Sequence, residues 1–419
     1  MQYFRPNKLG VHMKRKLIAV IGIAIMFGIL LSYPISVASG VMIFLAGEFD
    51  MTSASKSLFV CLVIIGAMVG ILGGGYVADA YGRKKAILLA ALFLLVGSLF
   101  SSMTKVFPEL LLFRFLVGIG IGITSMVVPV YLAEMSKPEY RGRMISLFQV
   151  AITLGIMISY ITNLCLFKLQ SWRIAVSISA GFALIALGLI FFIQESPSWL
   201  ASQAEVKQKR SSIRELFHGG LKKALIIGVL LSVFQQITGI NAIICYAPEI
   251  FHHAGITDLC SKLVATSLLG VLNVVTALFT MTQIDRWGRR TLLLIGIPGM
   301  FGSLLLMAIF FSNSFFAIGG MILYIIFFGI SLGPVVWVLT AEIFPLEIRG
   351  KAVSLALFVN WGSSLIVSWL FLFLVEITGI NGTFYIFSLM SFLAFLFVYF
   401  FVPETKGKTL EEIQEYWQK

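Results

Sequence analysis

The sequence predicts an all-α integral membrane protein of twelve transmembrane helices arranged as two pseudo-symmetric six-helix bundles. Of its 419 residues, 59% are hydrophobic and only 12% are charged, too few polar groups to cover an ordinary water-facing surface. The charged residues cut the chain into twelve apolar stretches. Three charged signatures also recur about half a chain apart, the mark of one membrane-embedded unit duplicated in tandem. Between the copies, 206 residues separate Asp79 from Asp285, 208 separate Glu134 from Glu342, and 209 separate Glu195 from Glu404.

The apolar stretches lie near residues 17–46, 57–78, 86–104, 110–133, 145–166, 173–194, 223–250, 263–284, 291–312, 315–340, 352–375 and 381–402. Each approaches or exceeds the roughly 20 residues that a helix needs to cross about 30 Å of hydrocarbon, and they are numbered here as spans one to twelve. The first follows Lys14, Arg15 and Lys16 like a signal sequence, but it is too long and has no small-residue cleavage site, so it reads as span one. The one sizeable hydrophilic segment, residues 203–215, separates the halves. The expected layout is a tail at 1–16, a first bundle at 17–200, a linker at 201–222, a second bundle at 223–402 and a tail at 403–419. The linker has room for one or two short interfacial helices, which would either anchor the halves at the surface or latch them.

Lysine and arginine set the orientation, because cytoplasmic loops retain positive charge during insertion. With an even number of spans both termini share a side, and that side holds 25 of the 31 Lys and Arg residues. The other side holds Lys56, Lys105, Lys168, Arg173 and Lys262, and Arg114 lies inside span four. Both termini are therefore expected in the cytoplasm. The net charge of +12 is then topology and contact with anionic lipid head groups, and nucleic acid is not an expected partner. Short loops suggest a bacterial inner membrane, and the expected state is a monomer.

The loop after span two reads Asp79, Gly82, Arg83, Lys84, and the loop after span eight reads Asp285, Gly288, Arg289, Arg290. An acid at a helix end, a tight turn through Gly and a cationic cluster allow ion pairs at the water boundary that can break and re-form. Pro129 to Glu134 with Arg141 and Gly142 is matched by Gly333, Pro334, Trp337 and Glu342 with Arg349 and Gly350. Glu195, Ser196, Pro197 after span six is matched by Pro403, Glu404, Thr405 after span twelve, and span seven carries Gln235, Gln236, Gly239 and Asn241. Together these resemble the sugar porter family of the major facilitator superfamily, which includes a bacterial xylose and proton symporter and the facilitative glucose transporters. The resemblance covers roughly residues 17–415.

That resemblance implies a cytoplasmic ion network of Asp79, Arg83, Glu134, Arg141, Glu195, Asp285, Arg289, Glu342, Arg349 and Glu404 that closes the inner gate when the cavity opens outward. Physically it is a bistable element, in which several partly exposed pairs of about 0 to 1 kcal/mol each set the balance between states. Polar side chains inside spans are costly without a partner or a ligand, and here they are neutral amides: Gln149 in span five, Gln235, Gln236 and Asn241 in span seven, Asn273 in span eight and Asn360 in span eleven. An amide both donates and accepts, as sugar hydroxyls require. Trp337 and Trp361 add flat apolar faces and an indole N–H. The family resemblance assigns substrate contacts to these same positions. For any one amide, hydrogen bonding between helices is the alternative. Gly239 is expected to let span seven bend so that its outer half gates the cavity, with Tyr246 as the lid.

The 19 acids divide into 13 near the cytoplasmic side and six near the outer side, with none at mid-depth, so a cationic substrate would lack a counter-ion. The expected ligand is a small neutral sugar, hexose or pentose, carried by alternating access. In the family's proton-driven members an Asp follows a Tyr in span one and pairs with an Arg in span four. Here Tyr33 is followed by Pro34, while Arg114 is present. Proline cannot hold a proton, which favours facilitated diffusion over proton-coupled symport; a non-transporting sugar sensor is the other alternative. His12, His218, His252 and His253 lie in tails or loops, and neither a nucleophile with a base nor a metal cluster is apparent. No enzyme activity, cofactor or metal is therefore expected. Neutralising Glu342 or Arg349 should shift accessibility toward the cytoplasm in cysteine-labelling assays, and unchanged labelling would refute their place in the latch.

Overall fold

A computed structural model describes residues 7–136, 141–169, 171–204, 219–344 and 349–406, and nearly all of them are helical. The first half comprises α1 (Asn7–Ser36), α2 (Ala38–Glu48), α3 (Ser53–Tyr81), α4 (Arg83–Met103), α5 (Phe107–Met135), α6 (Arg141–Leu166), α7 (Trp172–Ile190) and the short α8 (Pro197–Ala204). The second comprises α9 (Gly219–Ile237), α10 (Ile240–His253), α11 (Leu259–Trp287), α12 (Arg289–Phe310), α13 (Ser314–Ile330), α14 (Leu332–Glu342) and α15 (Arg349–Phe401). Helices satisfy their backbone groups internally, which lipid demands.

Helices and spans do not correspond one to one. Eleven segments are long and apolar enough to cross a membrane, one fewer than the sequence predicts. The difference lies in α15, whose 53 residues would extend about 80 Å at 1.5 Å per residue, far beyond one bilayer. It is interrupted at Gly379, with φ 70° and ψ 169°, where the chain turns and crosses again as span twelve. Three other spans break within the membrane: span one between α1 and α2 at Val37, span seven between α9 and α10 at Gly239 with φ 96°, and span ten between α13 and α14 at Ser331. The expected boundaries also shift, since α1 begins inside the predicted tail and α9 begins four residues before 223. Of the predicted linker, residues 205–218 lie outside the described residues.

Within the first half, α3 and α5 touch backbone to backbone. A Cβ on Gly66 or Gly70 of α3, or on Gly118 of α5, would fall 2.2 Å from a carbonyl oxygen of the facing helix, so these small residues set the helix separation. The halves meet where α6 packs on α11 and α3 on α15.

The end of the bundle that carries the basic loops repeats one device twice. Gly82 (φ 105°) and Gly288 (φ 90°) hold the turns into α4 and α12. The carboxylate of Glu195 accepts from the backbone N–H groups of Arg83 at 2.8 Å and Lys84 at 3.1 Å. Glu404 accepts from Arg289 and Arg290, each at 3.0 Å. Both acids therefore cap two of the unpaired amides of a helix N-terminus, where the helix dipole favours negative charge. Among the described residues neither takes part in a salt bridge. Ala at position 82 or 288 would place a Cβ 2.2 or 2.6 Å from that carboxylate at a positive φ. Either substitution should cost about 1–3 kcal/mol, seen as a lowered Tm of detergent-purified protein. Gly181→Ala, with nothing within 4 Å, should not lower it.

Candidate substrate cavity

Between the halves lies a cavity of about 900 Å³, mouth included, walled by α1 and α6 of the first half and by α9, α10, α11, α13, α14 and α15 of the second. All eight residues expected from sequence line it: Gln149, Gln235, Gln236, Asn241, Asn273, Trp337, Asn360 and Trp361. Aliphatic side chains such as Leu31, Ile152 and Ile156 complete the wall, and no charged residue lines it. Three hydroxyls, on Ser32, Ser36 and Thr153, were missed by sequence reasoning. Thr153 lies one helical turn beyond Gln149, and Ser32 and Ser36 are themselves one turn apart, a same-face spacing that could have revealed them.

Four of the amides form a continuous chain. Gln235 Nε2 donates to the carbonyls of Leu332 at 2.7 Å and Gly333 at 3.2 Å, in the first turn of α14. Asn360 Nδ2 donates to Gln235 Oε1 at 2.7 Å and to the Ser232 carbonyl at 3.0 Å. Gln236 Nε2 donates to Asn360 Oδ1 at 3.0 Å, with a longer contact of 3.4 Å to Gln235 Oε1. Asn241 Nδ2 donates to Gln236 Oε1 at 2.8 Å and to Ser364 Oγ at 2.5 Å. By contrast, the side-chain amides of Gln149 and Asn273 make no hydrogen bond among the described residues, and the buried Trp361 Nε1 has no partner. An unpaired donor at this depth is costly, and here it borders the cavity.

Arg114 is 3% exposed and stands behind the cavity wall. Its Nη1 donates to the Pro34 carbonyl at 2.6 Å, and its guanidinium lies 4.4 Å from the ring centroid of Phe59. Among the described residues it is the one buried charged side chain; no Asp, Glu or Lys is buried.

Span seven closes the end opposite the basic loops. Gly239 starts α10 in a left-handed conformation, and Tyr246 within it departs from helical geometry at φ −115°, ψ 16°. The Tyr246 ring is buried and stacks on Phe371 at 5.0 Å. A hydrogen bond and an ion pair tie α10 to the first half: Tyr160 Oη donates to the Ile244 carbonyl at 2.9 Å, and Lys56 Nζ lies 3.7 Å from Glu249. At the basic end every described ion pair stays within its own half. Arg83 pairs with Asp79 at 2.9 Å and Glu134 at 3.3 Å, and Arg289 with Asp285 at 3.0 Å and Glu342 at 2.8 Å. Thr405 also donates to Glu342 at 2.7 Å. The backbones of Arg141 and Arg349 begin α6 and α15, but their side chains lie outside the described residues.

Twelve crossings in two bundles around an uncharged polar cavity define a solute carrier of the major facilitator type. The family model described as "Sugar (and other) transporter" matches residues 20–216 and again residues 201–417. The galactose-proton symporter of Escherichia coli is 32% identical, with 97% of this chain and 96% of the relative covered. The glucose transporter GlcP of Staphylococcus epidermidis is 33% identical, with 92% and 94% covered. The solved structure of the proton:xylose symporter XylE bound to 6-bromo-6-deoxy-D-glucose superposes with a TM-score of 0.82 at 29% identity, covering 96% of this chain and 99% of that one. The chain belongs to the sugar porter family of the major facilitator superfamily. It is a sugar transporter and not an enzyme.

The Lys56 to Glu249 pair is the one described ion pair that crosses between the halves. Its side chains are 23% and 44% exposed, so it is worth roughly 0.2–1 kcal/mol. Lys56→Gln or Glu249→Gln should raise labelling of cysteines placed behind Tyr246 by up to about fivefold, and the Lys56→Glu, Glu249→Lys double exchange should restore the original rate.

Proposed function

We propose that this chain carries a neutral hexose or pentose by facilitated diffusion across a bacterial cell membrane, with its basic loops and both termini in the cytoplasm. Gln149, Gln236, Asn241 and Asn273 take the sugar hydroxyls, Trp337 and Trp361 face its C–H surface, and Gln235 and Asn360 complete the same wall. Gly239 and Tyr246 move as the outer gate. The ion network at the basic end biases the inner one, with Arg141 and Arg349 as its remaining cations.

One contact carries the preference for passive transport: the guanidinium of Arg114 is held by the backbone carbonyl of Pro34 at 2.6 Å. A carbonyl does not titrate at physiological pH, so this bond neither forms nor breaks with proton supply. With no buried carboxylate among the described residues, a proton has no evident carrier through the spans. Proton-coupled symport is the second reading, and the E. coli galactose-proton and D-xylose-proton symporters, at 32% and 31% identity, favour it.

Proteoliposomes loaded and assayed with D-glucose, D-galactose and D-xylose separate these readings. Facilitated diffusion expects counterflow of at least one labelled sugar, unchanged by a proton uncoupler and without alkalinisation of the medium. Sugar-induced alkalinisation would establish symport instead. Absence of counterflow for all three would overturn the hexose or pentose assignment. Trp361→Phe, which removes a donor with no protein partner, should leave Tm unchanged while weakening sugar affinity by about 1 kcal/mol, or roughly fivefold.

A further inference from the structure

Two buried thiols face each other across the seam between the halves, at the end opposite the basic loops. Cys61 on α3 and Cys245 on α10 are 0% and 1% exposed, and both are free. They come from opposite halves, 184 residues apart, so no motif spacing announces them. Each lies eight residues in from the same end of the bundle, Cys61 counted from Ser53 and Cys245 from His253, or about 12 Å at 1.5 Å per residue. The two helices run antiparallel, and contacts nearer that end fix their register. Lys56 Nζ is 3.7 Å from Glu249, and the Ser57 hydroxyl lies beside that of Tyr246. One turn further in, this register brings the two thiols within electrostatic reach of each other.

A guanidinium completes the group. Arg114 lies seven residues in from Phe107 at the same end of α5, its guanidinium is 4.4 Å from the ring centroid of Phe59, two residues before Cys61, and its charge reaches Cys245. Nη1 is taken by the Pro34 carbonyl, but Nε has no partner, and no Asp or Glu is buried among the described residues to balance the cation. The cluster therefore offers two soft sulfur ligands beside one unbalanced positive charge. Thiolates select soft metals such as Cu+, and two sulfurs suffice for a monovalent d10 ion, which takes linear coordination. The resulting bis-thiolate complex carries one negative charge, the counter-charge that Arg114 lacks.

We propose that Cys61 and Cys245 form a two-thiolate site for a soft monovalent cation, Cu+ or Ag+, balanced by Arg114, and that its occupation clamps α3 to α10 and holds this end of the cavity shut. Binding releases two thiol protons to the medium, forms two metal–sulfur bonds and transfers no electron. None of the three residues lines the sugar cavity, so the site is separate from substrate recognition. Because the thiols are buried while the halves are closed here, the ion enters when the seam opens and is trapped when it closes.

Ag+ is the probe, since Cu+ oxidises in air. Cys165→Ser with Cys260→Ser leaves Cys61 and Cys245 as the only thiols of the chain. In detergent and a chloride-free, thiol-free nitrate buffer, this background should retain one Ag+ per chain through gel filtration, measured by inductively coupled plasma mass spectrometry. Adding Cys61→Ser or Cys245→Ser should raise the Ag+ concentration for half-occupancy by about a hundredfold, the gain that a second ligand on one scaffold supplies. Tm reports whether each variant is folded, and Cys61→Ala or Cys245→Ala replaces a Ser variant that is not. Two Ag+ ions per chain in the background, or one ion held equally well by a single-thiol variant, would overturn the site.

In proteoliposomes, Ag+ on both faces should block counterflow by the two-thiol background, and dithiothreitol should restore it, while the single-thiol variants keep transporting at the same Ag+ concentration. One retained ion with undiminished counterflow overturns the clamp. Ag+ retention needs no sugar, so a chain that holds the ion yet carries none of D-glucose, D-galactose and D-xylose overturns the hexose or pentose assignment and supports the metal site.

Discussion

A polar group at the depth of a bilayer has no water to fall back on, and that single constraint organises this molecule. Each buried amide, hydroxyl or guanidinium must find a partner in the protein, find one in a ligand, or carry a cost of order 1–3 kcal/mol. Arg114 meets the constraint in part, with Nη1 on the carbonyl of Pro34 and Nε without a partner, and Ser32 meets it with the carbonyl of Ile152 at 2.6 Å. The four amides of spans seven and eleven meet it with one another and with backbone oxygens. Trp361 leaves it unmet at the wall of the cavity that Gln149 and Asn273 also border, while Ser98, Ser101 and Ser368 leave it unmet away from that cavity.

The same constraint explains why helix breaks coincide with the cavity. A break in a helix exposes carbonyl and N–H groups that only a protein-lined or polar space can accommodate. The breaks at Gly239 and Ser331 stand beside Gln236, Asn241 and Gly333 on the cavity wall. Gln235 supplies donors to the carbonyls just past the second break. At the basic end the duplicated turn solves a related problem with charge, as Glu195 and Glu404 each cover the N-terminal amides of a helix that begins at the membrane surface. Because both copies keep the arrangement, the tandem duplication is visible in hydrogen bonds as well as in sequence spacing.

Particular residues show where reading the chain stopped short. Gln149, Gln235, Asn273 and Asn360 stood out because amides are scarce in apolar helices, and that scarcity needs no coordinates to see. Ser32, Ser36 and Thr153 did not, since hydroxyls are tolerated in such helices by bonding back to the preceding turn, as Thr153 does to Val150. The turn at Gly379 was legible as a gap between two apolar stretches, although the two helices meet there without an intervening loop. Glu195 and Glu404 were legible as a repeated acid, but their ligands are backbone amides, which every residue carries and no motif can advertise.

The linear chain by itself determined the class of fold, the duplication, the charge asymmetry and the list of polar residues inside the spans, because hydropathy, spacing and residue type act locally. Only the tertiary structure decided which of those residues face a common cavity, which way each amide points, and that Arg114 rests on a backbone oxygen. The physical reason is that hydrogen-bond direction depends on partners brought from more than a hundred residues away, as in the bond from Asn360 to Gln235, and orientation exists only once the helices that carry them are packed.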